Sequence, residues 1–255
     1  ISELLKQASI SSQSPVRTPA RPTTPSVSKK LLEQKNAKYL LDKAVAGIDK
    51  GADFSHVHPL LARALSLFSN AFGKDHAYTL DLMQNLVSFY LLHHKLHLAL
   101  PTLGRLLSSL QKTGTDDTGP AGADKLFSVS VSLASVLAQT GQFEDSLCVL
   151  NIAGSACTDH LTPSECLARK ILVQLRSACA HASLQQQQES TRLLQSAAQL
   201  ANQLGNQYWV CHSLLEYACA IAGTDDSEAD TLFQQALAAA TLSSSPSSSS
   251  PSSSP

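Results

Sequence analysis

Apolar residues recur at intervals of three and four from about residue 29 to residue 242, the period of a helix with one buried face. No strand-like alternation of any length competes, so the chain reads as all-α. The clearest stretch lies within residues 73–112. A link, Gly73-Lys-Asp-His-Ala-Tyr-Thr-Leu80, leads into a helix with Leu82, Leu86, Phe89 and Tyr90 on one face. After a polar break from His93 to Lys95, a second helix carries Leu96, Ala99, Leu103, Leu106, Leu107 and Leu110 on the same rhythm. Ala99 is small where two helix backbones need to come close. One such hairpin cannot bury its apolar face alone and needs similar hairpins stacked against it. The pattern therefore predicts a helix-turn-helix solenoid of degenerate repeats.

The rest of the chain supplies the neighbours. A helix is predicted from near Lys29 to about Lys50, with Leu32, Tyr39, Leu40, Ala44 and Ile48 inward, ended by Gly51. Another runs from about Pro59, a first-turn proline, to Phe72, leaving His56 and His58 in the preceding loop. The Gly114–Gly122 stretch, with three glycines, two aspartates and Pro120, predicts a loop. Helices follow at roughly 123–140, 143–157, 163–183, 187–204, 207–222 and 226–241. Thr162-Pro163 with Glu165 is a helix start, and Asp225 or Asp226 can cap the last helix. Gly141, Gly205 and Gly223 mark turns or helix ends. The organisation is thus residues 1–28 as a short helix plus a Pro/Ser/Thr linker, 29–242 as the solenoid and 243–255 as a disordered Ser/Pro tail. The opening Ile1-Ser-Glu-Leu-Leu-Lys-Gln-Ala8 is a candidate helical hook, docking on a partner or back onto the domain.

Self-comparison supports the repeat. Leu86, Tyr90, Ala99, Leu103 and Leu106 align with Leu133, Leu137, Ser146, Leu150 and Ala153 at one offset (133 − 86 = 47). A third trace is Ala229, Phe233 and Ala236. These faces resemble the tetratricopeptide repeat, TPR. More narrowly, Arg63-Ala-Leu followed by Phe72-Gly-Lys-Asp-His-Ala-Tyr-Thr-Leu resembles the repeats of kinesin light chains, in which a long second helix ends in a Gly-x-x-His link. The likeness is best over residues 57–112, weaker over 123–157 and 206–241, and over 160–204 is one of helix pattern only. Ser146 departs from the usual alanine, and no second Gly-Lys-Asp-His link occurs. The resemblance implies the architecture and a general role in protein binding. It carries no motor or cargo identity.

Composition narrows the function. With 19 basic against 20 acidic residues, the chain has no field to neutralise phosphates, so nucleic acid is not an expected partner. No apolar run approaches the roughly 18–20 residues that span a bilayer, so no transmembrane segment is expected. Residues 1–30 are basic, acid-poor and Ser/Thr-rich, as organellar transit peptides are, but Pro15, Pro19, Pro22 and Pro25 favour a tether. The chain opens on Ile1 without Met, which fits a processed or truncated N-terminus. Cys148, Cys157, Cys166, Cys179, Cys211 and Cys219 form no CxxC pair and read as buried small residues of a reducing compartment. The expected location is intracellular and cytoplasmic, with a mitochondrion or another organelle as the alternative.

Catalytic motifs are absent: there is no phosphate-binding glycine loop, no HExxH and no GxSxG. No cofactor or metal is expected, since His93, His94 and His97 sit at a hairpin turn without an acid or thiol nearby in sequence. Asp116-Asp117 and Asp225-Asp226 read as capping or solvated acids, and His181 and His212, on apolar helices, as satisfied core or groove histidines. What remains is a non-enzymatic scaffold or adaptor binding a protein partner, or an accessory subunit of a large organellar or axonemal complex. In helix-pair solenoids the first helix of each pair lines the concave face. The groove candidates there are Gln84, Asn85 and Ser88, then Ser128, Ser130, Ser132 and Ser135, then Arg169, Lys170, Gln174 and Arg176. Gln84 and Asn85 are suited to clamp a peptide backbone, Lys170 and Arg176 to select an acidic feature.

Overall fold

A computed structural model of the chain describes residues 27–113, 120–156, 161–222 and 225–244. Among them are ten helices and no strand: α1 (Val27–Asp49), α2 (Phe54–Phe72), α3 (Ala77–Leu92), α4 (Leu96–Thr113), α5 (Pro120–Gln139), α6 (Phe143–Ser155), α7 (Pro163–Ser183), α8 (Gln187–Leu204), α9 (Gln207–Ile221) and α10 (Asp226–Ser244). The chain divides into two compact units, residues 1–141 and 142–255. In the first, each of α1 to α5 packs on the next; in the second, each of α6 to α10 does, and α7 also reaches α9. The Ile1–Ala8 hook, the linker up to residue 26, Asp116-Asp117, Cys157, Gly223 and residues 245–255 lie outside the described residues.

One packing unit recurs in every even-numbered helix. The fourth residue of α2, α4, α6, α8 and α10 is Val57, Ala99, Ser146, Ser190 and Ala229, none more than 2% exposed. Four residues on come Leu61, Leu103, Leu150, Leu194 and Phe233, all buried except the half-buried Phe233. Three further on, Ala64, Leu106, Ala153, Ala197 and Ala236 are buried in all five helices. Where the fourth residue is small the backbones can approach, as at Ser190, whose hydroxyl donates to the Ala178 carbonyl of α7 at 2.9 Å. Sequence comparison found three of these copies. The Val57 and Ser190 copies were missed because Val57 is larger than the expected alanine and the spacing changes from copy to copy. In the second unit Leu194, Ala197 and Ala236 join Ile171, Leu175, Leu214, Tyr217 and Ile221 in one core.

The turns repeat as well. His94, Gly141 and Gln185 each take a left-handed conformation, with φ of 54°, 79° and 60°. After two of them the chain closes the same way: Lys95 N–H donates to the Tyr90 carbonyl at 2.8 Å, Gln186 N–H to that of His181 at 2.9 Å. A side chain in this conformation is strained by roughly 1–2 kcal/mol, of which glycine recovers part after its own entropy cost. His94→Gly and Gln185→Gly should therefore each raise stability by about 0.5 kcal/mol. Urea midpoints measure this, and a destabilised variant at both positions contradicts it.

Helix starts follow from their capping residues. Thr162 and Glu165 form a reciprocal capping box on α7 with Pro163 in the first turn. Asp225 Oδ1 accepts from Glu228 N–H at 2.9 Å to cap α10, and the Asn206 side chain accepts from the Tyr208 and Trp209 amides to cap α9.

Several expectations need correction. The inner face of α1 is Ala37 and Ala44, both fully buried, while Leu32, Tyr39 and Ile48 are 59%, 65% and 41% exposed. The reason is close approach to α2: a methyl placed on Gly47 would meet Val57 Cγ2 at 3.4 Å, so only small residues fit. α2 begins at Phe54, with Asp53 at its N-cap, and Pro59 is internal rather than in the first turn. The early turns are held from outside, since the Phe54 ring stacks on Phe89 of α3 with centroids 5.2 Å apart. The Gly73–Leu80 link is half helix. His76 caps α3 through its imidazole, Thr79 is buried with its hydroxyl on the Gly73 carbonyl at 2.8 Å, and Gly73 has φ 111°. α5 starts at Pro120 and runs through Gly122, since a first-turn proline opens a helix instead of breaking it. Ala121–Gln139 is also long and apolar enough, at mean hydropathy 1.3, to meet the length and composition of a membrane span. Here it is a core helix, burying Val129, Leu133, Ala134, Val136 and Leu137 beside half-exposed serines.

Candidate partner-binding surfaces

In the first unit, burying Leu82, Met83, Leu86, Phe89 and Tyr90 leaves α3 an open stripe of Asp81, Asn85, Ser88 and Leu92, all exposed. α5 lies alongside at this point, because Lys125 Nζ reaches Asp81 Oδ1 at 2.7 Å. Both partners are solvated, so the pair contributes under about 1 kcal/mol and serves as a marker of adjacency. α5 adds exposed Ser128 and half-buried Ser132 and Ser135. Gln84 is half-buried at the flank, and its carbonyl accepts from the Ser88 hydroxyl at 3.2 Å. Asn85 is thus the exposed amide of the stripe. Ser130 is a correction: it is fully buried and offers no surface, because it sits on the core side of α5 between Val129 and Leu133.

In the second unit, Lys170 and Arg176 of α7 are exposed and Arg169 is half-buried. Gln174 is turned toward α8, where its amide donates to Ser196 Oγ at 3.1 Å, and its carbonyl oxygen is buried. α9 lies beside α7: partial desolvation pushes the pKa of Cys179 up, Glu216 of α9 raises it further, and Arg176 lowers it. α9 itself presents Tyr208, His212, Leu215 and Cys219 at helical spacing on the side away from Leu214, Tyr217 and Ile221. Tyr208 is 67% exposed and stands edge-on to Trp209 at 5.4 Å. Sequence reasoning passed over this aromatic stripe. It becomes legible once the inward residues of the helix are assigned, because Tyr208, Leu215 and Cys219 are what remains.

The groove candidates therefore fall into separate sets: Gln84, Asn85, Ser88, Ser132 and Ser135 in the first unit, and Lys170, Gln174 and Arg176 in the second.

The titratable clusters turn out to be largely packing groups. His58 is not in a loop. It lies on α2, stacked on Phe54 at 5.1 Å, with Nε2 3.0 Å from the Tyr90 hydroxyl. Burial pushes the Tyr90 phenol up. His93 packs edge-on against Phe89 at 4.5 Å, whereas His56, His94 and His97 are exposed. Among the described residues no three His, Cys, Asp or Glu side chains converge as metal ligands would. None of the five described cysteines is buried: Cys148, Cys179 and Cys219 are exposed, Cys166 and Cys211 half-buried. The small inward positions are held by alanine and serine, which displaces the thiols outward.

No family model matches the chain, and no curated protein matches it. Solved structures do. A crystal structure of TPR-like repeats of a Podosopora anserina kinesin light chain aligns with a TM-score of 0.64 at 18% identity, covering 84% of this chain and 99% of that one. A point-substituted form of the same repeats gives 0.65 at 19% identity, with coverages of 83% and 97%. A MamA RS-1 double mutant gives 0.54 at 13%, covering 83% and 98%. At 84% of the chain, the likeness takes in residues of both units. The chain has the fold of a TPR-like α-solenoid.

Proposed function

We propose that the chain is a non-enzymatic scaffold or adaptor that binds a protein partner along the first helices of its helix pairs. The observation that carries this reading is the division of labour within the repeat. Even-numbered helices use the face of their fourth, eighth and eleventh residues for packing, while α3, α5, α7 and α9 keep open stripes that include Asn, Ser, Lys, Arg and Tyr. Asn85 suits a peptide backbone, Lys170 and Arg176 an acidic feature, and Tyr208 an apolar anchor. The kinesin light chain and MamA folds are consistent with this use of the architecture.

A second reading, an accessory subunit of a large organellar or axonemal complex, is favoured by one feature. Leu92, Leu215 and Leu237 are large and apolar yet 72%, 44% and 60% exposed. Photo-cross-linking residues placed at Asn85, Arg176, Leu237 and Gln111 in the native host separate the two. The scaffold reading expects a discrete protein adduct from Asn85 or Arg176 and none from Leu237 or Gln111. Adducts from Leu237 as well favour the embedded subunit. No protein adduct from any of the four overturns both.

A further inference from the structure

The charges of this chain are sorted by position. Across residues 27–50 six lysines stand against three acids, Glu33, Asp42 and Asp49. From Leu193 to Pro255 there is no Lys or Arg, against the five acids Glu216, Asp225, Asp226, Glu228 and Asp230. The formal net charge of −1 conceals this separation. The first described helix, α1, therefore has a basic surface and the last, α10, an acidic one. Each packs chiefly on one neighbour, α1 on α2 and α10 on α9, and keeps the rest of its surface open.

Within these surfaces charge and apolar area follow an order. Along α1 and the residue after it, Leu32, Lys35, Tyr39, Lys43, Ala46 and Lys50 recur at three and four residues and are all exposed. Leu32 is 59% and Tyr39 65% exposed. Asp42 and Asp49 lie to one flank of this stripe, and Glu33 is half-buried. Among the described residues none of the three lysines is paired with a carboxylate. On α10, Asp226, Asp230, Phe233 and Leu237 recur on the same rhythm, with Leu237 60% exposed and Phe233 half-buried. Glu228 is turned to α9, where its carboxylate accepts from the Tyr217 hydroxyl at 3.1 Å.

We propose that the α1 stripe of one copy docks antiparallel on the α10 stripe of a second copy, so that the chain associates with itself through its first and last described helices. Charge complementarity selects this occupant, because the chain carries both halves of the contact. The order of residues selects the direction. On α1 the apolar Leu32 and Tyr39 lead and Lys43 and Lys50 follow; on α10 Asp226 and Asp230 lead and Phe233 and Leu237 follow. Antiparallel docking sets apolar on apolar and lysine on aspartate, whereas parallel docking sets lysine on Phe233 and Leu237. The spans agree as well: Tyr39 to Lys50 and Asp226 to Leu237 are equally long (50 − 39 = 237 − 226 = 11), about 16 Å on a helix. The two surfaces are unlike, so the contact is heterologous. One helix pair is smaller than the roughly 1,200–2,000 Å² of a standard interface, so association is weak, at roughly tens to hundreds of micromolar. The contact is separate from the partner-binding stripes of α3, α5, α7 and α9. A photo-cross-linker at Leu237 reports it as an adduct of twice the chain's mass, distinct from adducts with other proteins.

Sedimentation equilibrium of the full chain tests the proposal. Between roughly 10 and 500 µM protein in about 50 mM NaCl, the weight-average mass should climb above that of the monomer. In about 1 M NaCl, where charges are screened beyond about 3 Å, it should stay near the monomer value. Lys43→Glu/Lys50→Glu and Asp230→Lys/Gln234→Lys, all at exposed positions, should each weaken self-association roughly tenfold while melting like the wild type. An equal mixture of the two variants should associate again, because each presents the charge that the other lacks. A wild type that stays monomeric over the whole range would overturn the proposal, as would association that salt does not weaken. So would association that persists in both variants, which would assign the contact to other surfaces, or a mixture no more associated than its components.

Discussion

Replacing Ala99 by Trp should abolish the native thermal transition or lower its midpoint by roughly 10 °C. Ala99 is fully buried at the fourth position of α4, one turn before Leu103, and its N–H is bonded to the Lys95 carbonyl. A larger side chain there must push α4 off its neighbours, taking Leu103, Leu106 and Leu107 out of register together. Overpacking of this kind costs about 1–3 kcal/mol where side chains alone can yield, and more where backbones are in the way. Total stability in a domain is about 5–15 kcal/mol, so the loss is severe. Gln111→Trp, at an exposed position of the same helix, should leave the melting curve unchanged. Calorimetry on the two variants decides the matter: equal curves would mean that α4 does not pack through Ala99.

The second large effect concerns equivalence among the repeats. Leu103, Leu150 and Leu194 occupy the same position in α4, α6 and α8, and each is nearly inaccessible. Truncation to Ala should cost about 2–5 kcal/mol at each, the range for a buried leucine whose cavity only partly collapses. Leu237→Ala, on the open side of α10, should cost under about 0.5 kcal/mol. Urea denaturation gives all four values. If Leu150 or Leu194 behaved like Leu237, the alignment of the even-numbered helices would be wrong, even with the Leu103 result as expected.

Much of this fold was legible in the residues. Helical period placed α7 and α8 at their observed limits, and Thr162, Pro163 and Glu165 specified the α7 start because capping is a local interaction. What was illegible depended on neighbours. In α1 Ala44 was assigned inward and is buried, but Leu32, Tyr39 and Ile48 were assigned with it and are exposed, because the close approach of α2 at Gly47 favours small residues such as Ala37 there. The start of α2 was set five residues late because its first turns are held by ring contacts between Phe54, His58, Phe89 and Tyr90, residues distant in sequence. Of the candidate surface, Asn85, Lys170 and Arg176 were legible from helix phase alone. Ser130 was not, since polarity suggested exposure where the helix turns it inward, and Gln174 was not, since its partner Ser196 lies on another helix.

The account rests on hairpins that cannot stand singly. A synthetic peptide of residues 77–113, holding α3, α4 and their turn, addresses this most directly by circular dichroism beside the full chain. Under native conditions the full chain should be strongly helical and melt cooperatively, while the peptide should show little helix and no cooperative transition. A peptide that is as helical as the intact array and melts cooperatively by itself would contradict the account.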